Sequence, residues 1–311
     1  MKNFFTLLAF LIVSTGLLAQ KADSIKKSTS ADSLFNAMNS DNKHEPVAIF
    51  ESSRLILSQS TETIKKNNFN VLIMHRFGDV GGDDGSGKSL FGLDYVADLY
   101  IGFEYGLTNN LNIDIGRSAK PDEGGLISLE VKYALLHQTS DESSPFALTL
   151  IGTTGIRPYG DFDRFSDRVS YFAQAIIARK ISRRLSLQVA PSFVQNNLPL
   201  PDTLGSKKGF FSVSAAARLK VTKLMSIIVD YAHPFSSFRN SSRFSDPLGF
   251  GIQLVTGGHV FTMNITNART ANEINYLSNT TADYLRGNYR IGFTIARLFD
   301  FNHRENYQPR R

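Results

Sequence analysis

The chain has 311 residues, 34 Lys and Arg against 28 Asp and Glu, a formal charge of +6, and neither Cys nor Trp. A mean hydropathy of −0.15 excludes a polytopic helical membrane protein. The absence of Cys excludes thiol catalysis, Cys-ligated zinc, disulfides and a lipid-modified N-terminal Cys. The small positive excess is spread along the chain, so nucleic acid is not an expected partner.

Residues 1–20 have the order of a secretory signal peptide. Lys2 supplies the positive start, Phe4 to Val13 the apolar centre, and Ser14 to Gln20 a small-residue exit, with cleavage expected after Ala19 or Gln20. Residues 21–48 are rich in Ser, Asn, Asp and Lys and read as a flexible periplasmic lead-in, with Leu34, Phe35 and Met38 able to seed one helical turn. Arg54-Leu55-Ile56-Leu57 then precedes the first strand, either as a plug or as an extra strand.

From there the chain alternates with period two, which puts one residue class on each face of a strand. Strands are expected near 68–76, 97–107, 110–118, 125–137, 146–156, 168–180, 184–195, 209–220, 224–233, 247–255, 258–266 and 287–299. In the second, Leu99, Ile101, Phe103, Tyr105 and Leu107 share one phase; Asp98, Tyr100, Gly102, Glu104 and Gly106 share the other. Most runs have the length that crosses a bilayer at a tilt. Thr108-Asn109, Ser182-Arg183, Thr222-Lys223 and Thr256-Gly257 mark short turns on one side, whereas long polar segments such as Arg157–Asp167 and Asn267–Arg286 lie on the other. That asymmetry, with an even strand count, predicts an all-β, antiparallel, up-and-down transmembrane barrel of about twelve strands over residues 49–300. The expected location is the outer membrane, with both termini periplasmic and residues 301–311 a polar tail. A soluble barrel is the competing fold, but twelve strands enclose too wide a space for these side chains to fill.

The phase opposite the apolar one carries Arg76, Asp98, Glu104, Asp114, Glu130, Lys132, Gln188, Arg218, Asp230, Gln253, Asn264 and Arg290. These are the expected lumen-lining residues. Acids fall on strands 2–4 and bases on strands 1, 8 and 12, which sets either a transverse field across a pore or a network that closes it. The Gly/Ser-rich inner phase favours a narrow channel for small polar solutes. The alternative is a non-conducting structural or partner-binding barrel closed by residues 45–60 and ion pairs.

Other chemistry finds less support. Gly82, Gly87, Lys88 and Ser89 spell a phosphate-binding loop, but no buried parallel strand precedes it and no long helix follows. Asp79, Asp83 and Asp84 are oxygen donors that suit weak Ca²⁺ binding, against the simpler reading of a solvated loop. His44, His75, His137, His233, His259 and His303 form no metal-ligand spacing; His75 and His259 read as interfacial or turn-bonded. Asn264 lies near His259, yet no Ser completes a nucleophilic set, so neither an enzyme nor a metal or other cofactor is expected.

Met74-His75-Arg76-Phe77-Gly78, Phe91-Gly92-Leu93-Asp94, Ile115-Gly116-Arg117-Ser118, Gly257-Gly258-His259-Val260-Phe261 and Ala296-Arg297-Leu298-Phe299 together resemble the DUF5777 family, β-barrel proteins of Bacteroidetes. The resemblance runs over roughly residues 50–300 and implies an outer-membrane barrel. It carries no assigned activity and no catalytic residues. Expected partners are outer-membrane lipid, the barrel assembly machinery that reads an aromatic such as Phe299 at the last strand's end, and a small polar solute. The barrel is expected to be a monomer.

Overall fold

The computed structural model describes residues 44–81, 85, 87–119, 125–197, 209–239 and 243–301. The expected signal peptide, the expected lead-in up to residue 43, residues 82–84 and 86 of the Gly-rich loop and the expected tail from 302 lie outside them.

Period-two alternation becomes twelve strands: β1 (Phe69–Asp79), β2 (Val96–Gly106), β3 (Leu111–Ser118), β4 (Leu126–Leu136), β5 (Ala147–Ile156), β6 (Val169–Lys180), β7 (Leu185–Asn196), β8 (Phe210–Lys220), β9 (Met225–Phe235), β10 (Leu248–Thr256), β11 (His259–Thr266) and β12 (Arg290–Phe299). Each pairs antiparallel with its chain neighbours, and β12 closes the barrel on β1 with Phe69 opposite Phe299. Closure removes every sheet edge, which a structure in lipid requires. It also overturns the extra-strand reading of residues 50–60, since both sides of β1 are already paired.

Expected and observed ends differ by at most three residues, at the end of β1 and the start of β12. β1 runs on to Asp79 through a register shift after Arg76. β12 starts late because a short 3-10 turn, Tyr284–Arg286, precedes it and Gly287 takes a left-handed φ of 81°.

Outside and inside are reversed relative to a soluble barrel. Outward Ile115 and Ile252 are each 50% exposed, while inward Ser128, Thr149, Gln188 and Ser226 are buried. Apolar outside and polar inside is the pattern of strands solvated by lipid.

Two inserts fill the interior. The first comes from the short-turn side. Pro46 bridges Thr139, and the Val47 N–H donates to the Gln138 carbonyl at the rim. The chain leaves at the same rim, where the Thr63 hydroxyl donates to the Asn109 carbonyl and the Asn67 N–H to the Gly106 carbonyl. Between these points residues 49–61 are buried at every position but Glu51. They fold as a hairpin: Arg54 bridges Gln59, and the Leu55 N–H donates to the Ser58 carbonyl at 2.9 Å. Its Ile49, Phe50, Leu55, Ile56 and Leu57 pack on inward Phe172, Ile176, Val194 and Ile228.

The second insert is the β11–β12 connection, from the long-loop side. It holds a short helix, α1 (Glu273–Asn279), capped by the Asn272 side chain, which accepts from the Ile274 N–H. Ala268, Ile274, Tyr276 and Leu277 join the same apolar cluster as the hairpin.

Candidate functional site in the barrel lumen

All twelve expected lumen residues are buried, from Asp230 at 0% to Arg290 at 8% exposed. Seven of them hold the hairpin, as these hydrogen bonds and one ion pair show. Glu104 accepts from the Ser53 hydroxyl at 2.8 Å, and Glu130 from the Gln59 amide at 2.6 Å. The Lys132 ammonium donates to the Ser53 carbonyl, and the Gln188 amide to the Gln59 carbonyl. Arg218 pairs with Glu51 at 3.0 Å. Asp230 receives the tip of the hairpin: its carboxylate accepts from the Leu57 and Ser58 N–H groups, both at 2.8 Å, and from the Ser58 hydroxyl.

Arg76 serves both inserts. One guanidinium nitrogen donates to the Ile56 carbonyl at 3.1 Å and the other to the Ala268 carbonyl at 2.7 Å. Of the two inserts, Asp98 and Arg290 bond to the loop, through the Ala271 N–H and the Asn267 carbonyl, and each also bonds to the wall, Asp98 to Ser118 and Arg290 to Asp79. Gln253 reaches across to Thr262 on the wall. Among the described residues, the Asn264 side-chain oxygen and both Asp114 carboxylate oxygens have no hydrogen-bond partner. Seven of the twelve residues therefore bond to a hairpin that lies between them, so in this structure they do not face one another across an open space.

Arg54 joins the two inserts. Its guanidinium, 2% exposed, lies 2.7 Å from Glu273 of α1, 3.7 Å from Glu130 of β4 and 5.2 Å from the Tyr100 ring centroid. A lone buried guanidinium would lose several kcal/mol of hydration, on the order of the cost that paired carboxylates and a ring face offset. In return Arg54 compensates an acidic wall. Glu104 stands opposite Asp114, and Asp114 opposite Glu130, a row of like charges across three strands that strand pairing alone would disfavour.

Two rim acids respond oppositely to this setting. Burial works to raise the Glu51 carboxyl, but Arg218 and Lys220 outweigh it and hold Glu51 below its ordinary value. Glu62 accepts from the Ile49 and Phe50 N–H groups, yet burial dominates and lifts it above the usual carboxylate range.

The remaining motifs carry no assembled chemistry. His75 stacks on Phe293 and lies tilted against Phe77, and His259 contacts Arg297 at 2.9 Å beside Phe261. Gly87–Gly92 is a kinked 3-10 segment instead of the long helix a phosphate loop needs, and Asp79 pairs with Arg290 at 2.8 Å. Among the described residues, no group of three or more His, Cys, Asp or Glu is placed to hold a metal ion.

Glu273, Ser53, Ser58, Gln59 and Glu51 are site residues that the strand pattern does not mark, because they lie in connections. One signal was present for the loop. Asn272 before Glu273-Ile274, with Tyr276 and Leu277 following, spells a helix cap and an apolar face inside an otherwise polar stretch.

A closed antiparallel barrel with lipid-facing apolar residues and a polar, filled interior is a transmembrane β-barrel with a plugged lumen. More particularly, the chain belongs to the family of the membrane bound beta barrel domain DUF5777, whose model matches residues 50–299. A search of curated proteins finds no match. Among solved structures the chain is similar to the NanC porin, at 8% identity and a TM-score of 0.46, covering 75% of this chain and 100% of that one. It is also similar to an outer membrane channel from Pseudomonas putida F1, at 10% identity and a TM-score of 0.44, covering 77% and 98%. The KdgM porin in complex with oligogalacturonate gives 6% identity and a TM-score of 0.43, covering 75% and 99%. Likeness at this level transfers no ligand to this chain.

Proposed function

We propose that the protein is an outer-membrane barrel held closed by its own residues 49–61, and that it passes small polar solutes only when this plug leaves the lumen. The observation that carries the reading is the plug's geometry: both its ends lie on the short-turn rim, so it can withdraw without unthreading the barrel. The wall it would leave behind is rich in Ser, Thr and Gln, including Thr149, Thr153, Ser186 and Gln188, groups that water can solvate as well as the plug does. In this reading the short-turn rim faces the periplasm, and the chain catalyses no reaction.

A second reading is favoured by the loop around α1, which closes the lumen from the opposite end. On that reading the barrel never conducts and acts as a structural or partner-binding element. Planar-bilayer recordings separate the two. Wild type should be silent, and a variant with residues 49–61 replaced by a Gly/Ser linker should show steps of ionic current. A silent linker variant that still forms the closed barrel would favour the second reading.

A further inference from the structure

Most of the basic residues on the short-turn rim do not touch the plug. Arg179, Lys180, Arg183 and Arg184 flank the β6–β7 turn, and Lys220 and Lys223 flank the β8–β9 turn. The two turns adjoin, with the Lys220 N–H donating to the Arg184 carbonyl at 2.8 Å. No Asp or Glu occurs from Val169 to Asn196 or from Phe210 to Val229; the one acid on β6–β9 is Asp230, which the plug tip occupies.

What neutralisation exists comes from elsewhere and is partial. Arg179 lies 3.5 Å from Glu142 in a pair with both side chains exposed, and Lys220 lies 3.3 Å from Glu51 of the plug stem. The Lys180 ammonium donates to the Ala48 carbonyl. Asp141, on the neighbouring β4–β5 turn, is taken by His44 and by Ser143 of its own turn. The side chains of Arg183, Arg184 and Lys223 are exposed and stand in no ion pair among the described residues.

The same turns carry outward apolar residues. Ile181 is 52% and Leu224 59% exposed, and Val221 lies beside them. Apolar side chains continue down the strands below as part of the lipid-facing belt, through Ile177, Leu219 and Ile227. A basic cluster interleaved with apolar residues, placed where strands leave the hydrocarbon, has the composition that engages acidic headgroups while its neighbours enter the acyl region. An acidic protein partner would be served by the charges but not by Ile181, Val221 and Leu224.

We propose that the β6–β7 and β8–β9 turns form a binding surface for anionic phospholipid headgroups of the leaflet that meets the short-turn rim. Arg183, Arg184 and Lys223 supply the free cations, and Ile181, Val221 and Leu224 seat the acyl chains beside them. The cluster is densest on this arc of the rim. The β2–β3 and β10–β11 turns, Thr108-Asn109-Asn110 and Thr256-Gly257-Gly258, carry no charge of their own, although Lys65 and Lys66 of the plug stem lie beside the first and Arg297 beside the second.

The test uses the full-length barrel in nanodiscs of phosphatidylcholine with a minority of phosphatidylglycerol, followed by native mass spectrometry of lipids retained after release. Wild type should retain phosphatidylglycerol in preference to phosphatidylcholine, and the triple variant R183Q/R184Q/K223Q should lose that preference by about tenfold or more, as expected for three surface cations. Raising the salt should weaken the wild-type preference in the same direction. Heat stability in pure phosphatidylcholine serves as the folding control and should be equal in both, since the three side chains are exposed. Equal retention of the two lipids by wild type overturns the proposal. So does a triple variant that folds and keeps the wild-type preference, and so does an acidic polyglutamate peptide that binds in an Arg183-dependent way while phosphatidylglycerol shows no preference.

Discussion

Replacing Asp230 by Ala should free the plug tip without opening the barrel. The carboxylate is fully buried on β9 and accepts the Leu57 and Ser58 N–H groups at 2.8 Å. Alanine leaves both donors with no acceptor, and each unmade buried hydrogen bond costs about 1–3 kcal/mol. Removing a buried carboxylate returns part of that, because the charge no longer loses its hydration. A net cost of about 3 kcal/mol for the seated plug is the consequence, roughly a 100-fold rise in the withdrawn population. Hydrogen–deuterium exchange reads this directly. Amides of residues 55–60 should exchange roughly 100-fold faster in Asp230→Ala, while amides of β6 and β7 keep their protection. Asp230→Asn retains one acceptor oxygen and should fall between the two. If exchange rises equally across plug and strands, the substitution has unfolded the barrel. If the plug amides are unchanged, Asp230 does not hold it and the reasoning fails.

Three further perturbations follow from the same contacts. Arg54→Ala leaves Glu273 and Glu130 facing one another without their cation and should lower stability by about 3–5 kcal/mol, whereas the double variant R54M/E273Q should recover most of it, both read as denaturation midpoints in detergent. Gly106→Ala places a Cβ 2.2 Å from the Lys65 carbonyl oxygen and 2.5 Å from that of Ile64, so the outgoing stem must shift; faster proteolysis around residues 62–67 with an intact barrel is the expected result. Acid should loosen the incoming stem. Arg218 and Lys220 hold Glu51 below its ordinary value in the folded chain, so its grip on them is present above the unfolded value and is lost as pH falls through the lower, folded one. Glu62 has the opposite sign: its raised folded value means protonation on acidification relieves a burial cost and opposes release. Glu51→Gln should therefore abolish the acid-induced loosening seen by exchange at Ile49 and Phe50, and Glu62→Gln should not.

The strands were legible because a transmembrane barrel asks each residue for one of two solvents. Lipid on one side and a polar interior on the other turn β3 into Leu111, Ile113, Ile115 against Asn112, Asp114, Gly116, a signal that needs no tertiary information. The inward placement of Arg76, Glu130 and Asp230 follows from the same phase. What those residues touch does not. Residues 49–61 take neither a helical nor a strand period, because their conformation is set by scattered wall groups such as Asp230 and Gln188 instead of by one face. The inward fold of the β11–β12 loop was hidden for a similar reason. Its apolar residues are few, and a polar stretch containing Glu273 reads as solvated until Arg54 is known to lie opposite it.

Residues 49–61 occupy the lumen, and a single introduced thiol tests that placement. The chain has no Cys, so Leu57→Cys introduces the only thiol in that variant, and the backbone N–H bond at position 57 to Asp230 remains. Lys223→Cys on the exposed rim is the matched control. In the folded barrel a membrane-impermeant maleimide should label Lys223→Cys at once and Leu57→Cys only after denaturation or after Asp230→Ala is added. Rapid labelling of Leu57→Cys in the folded, otherwise unaltered barrel would contradict the account.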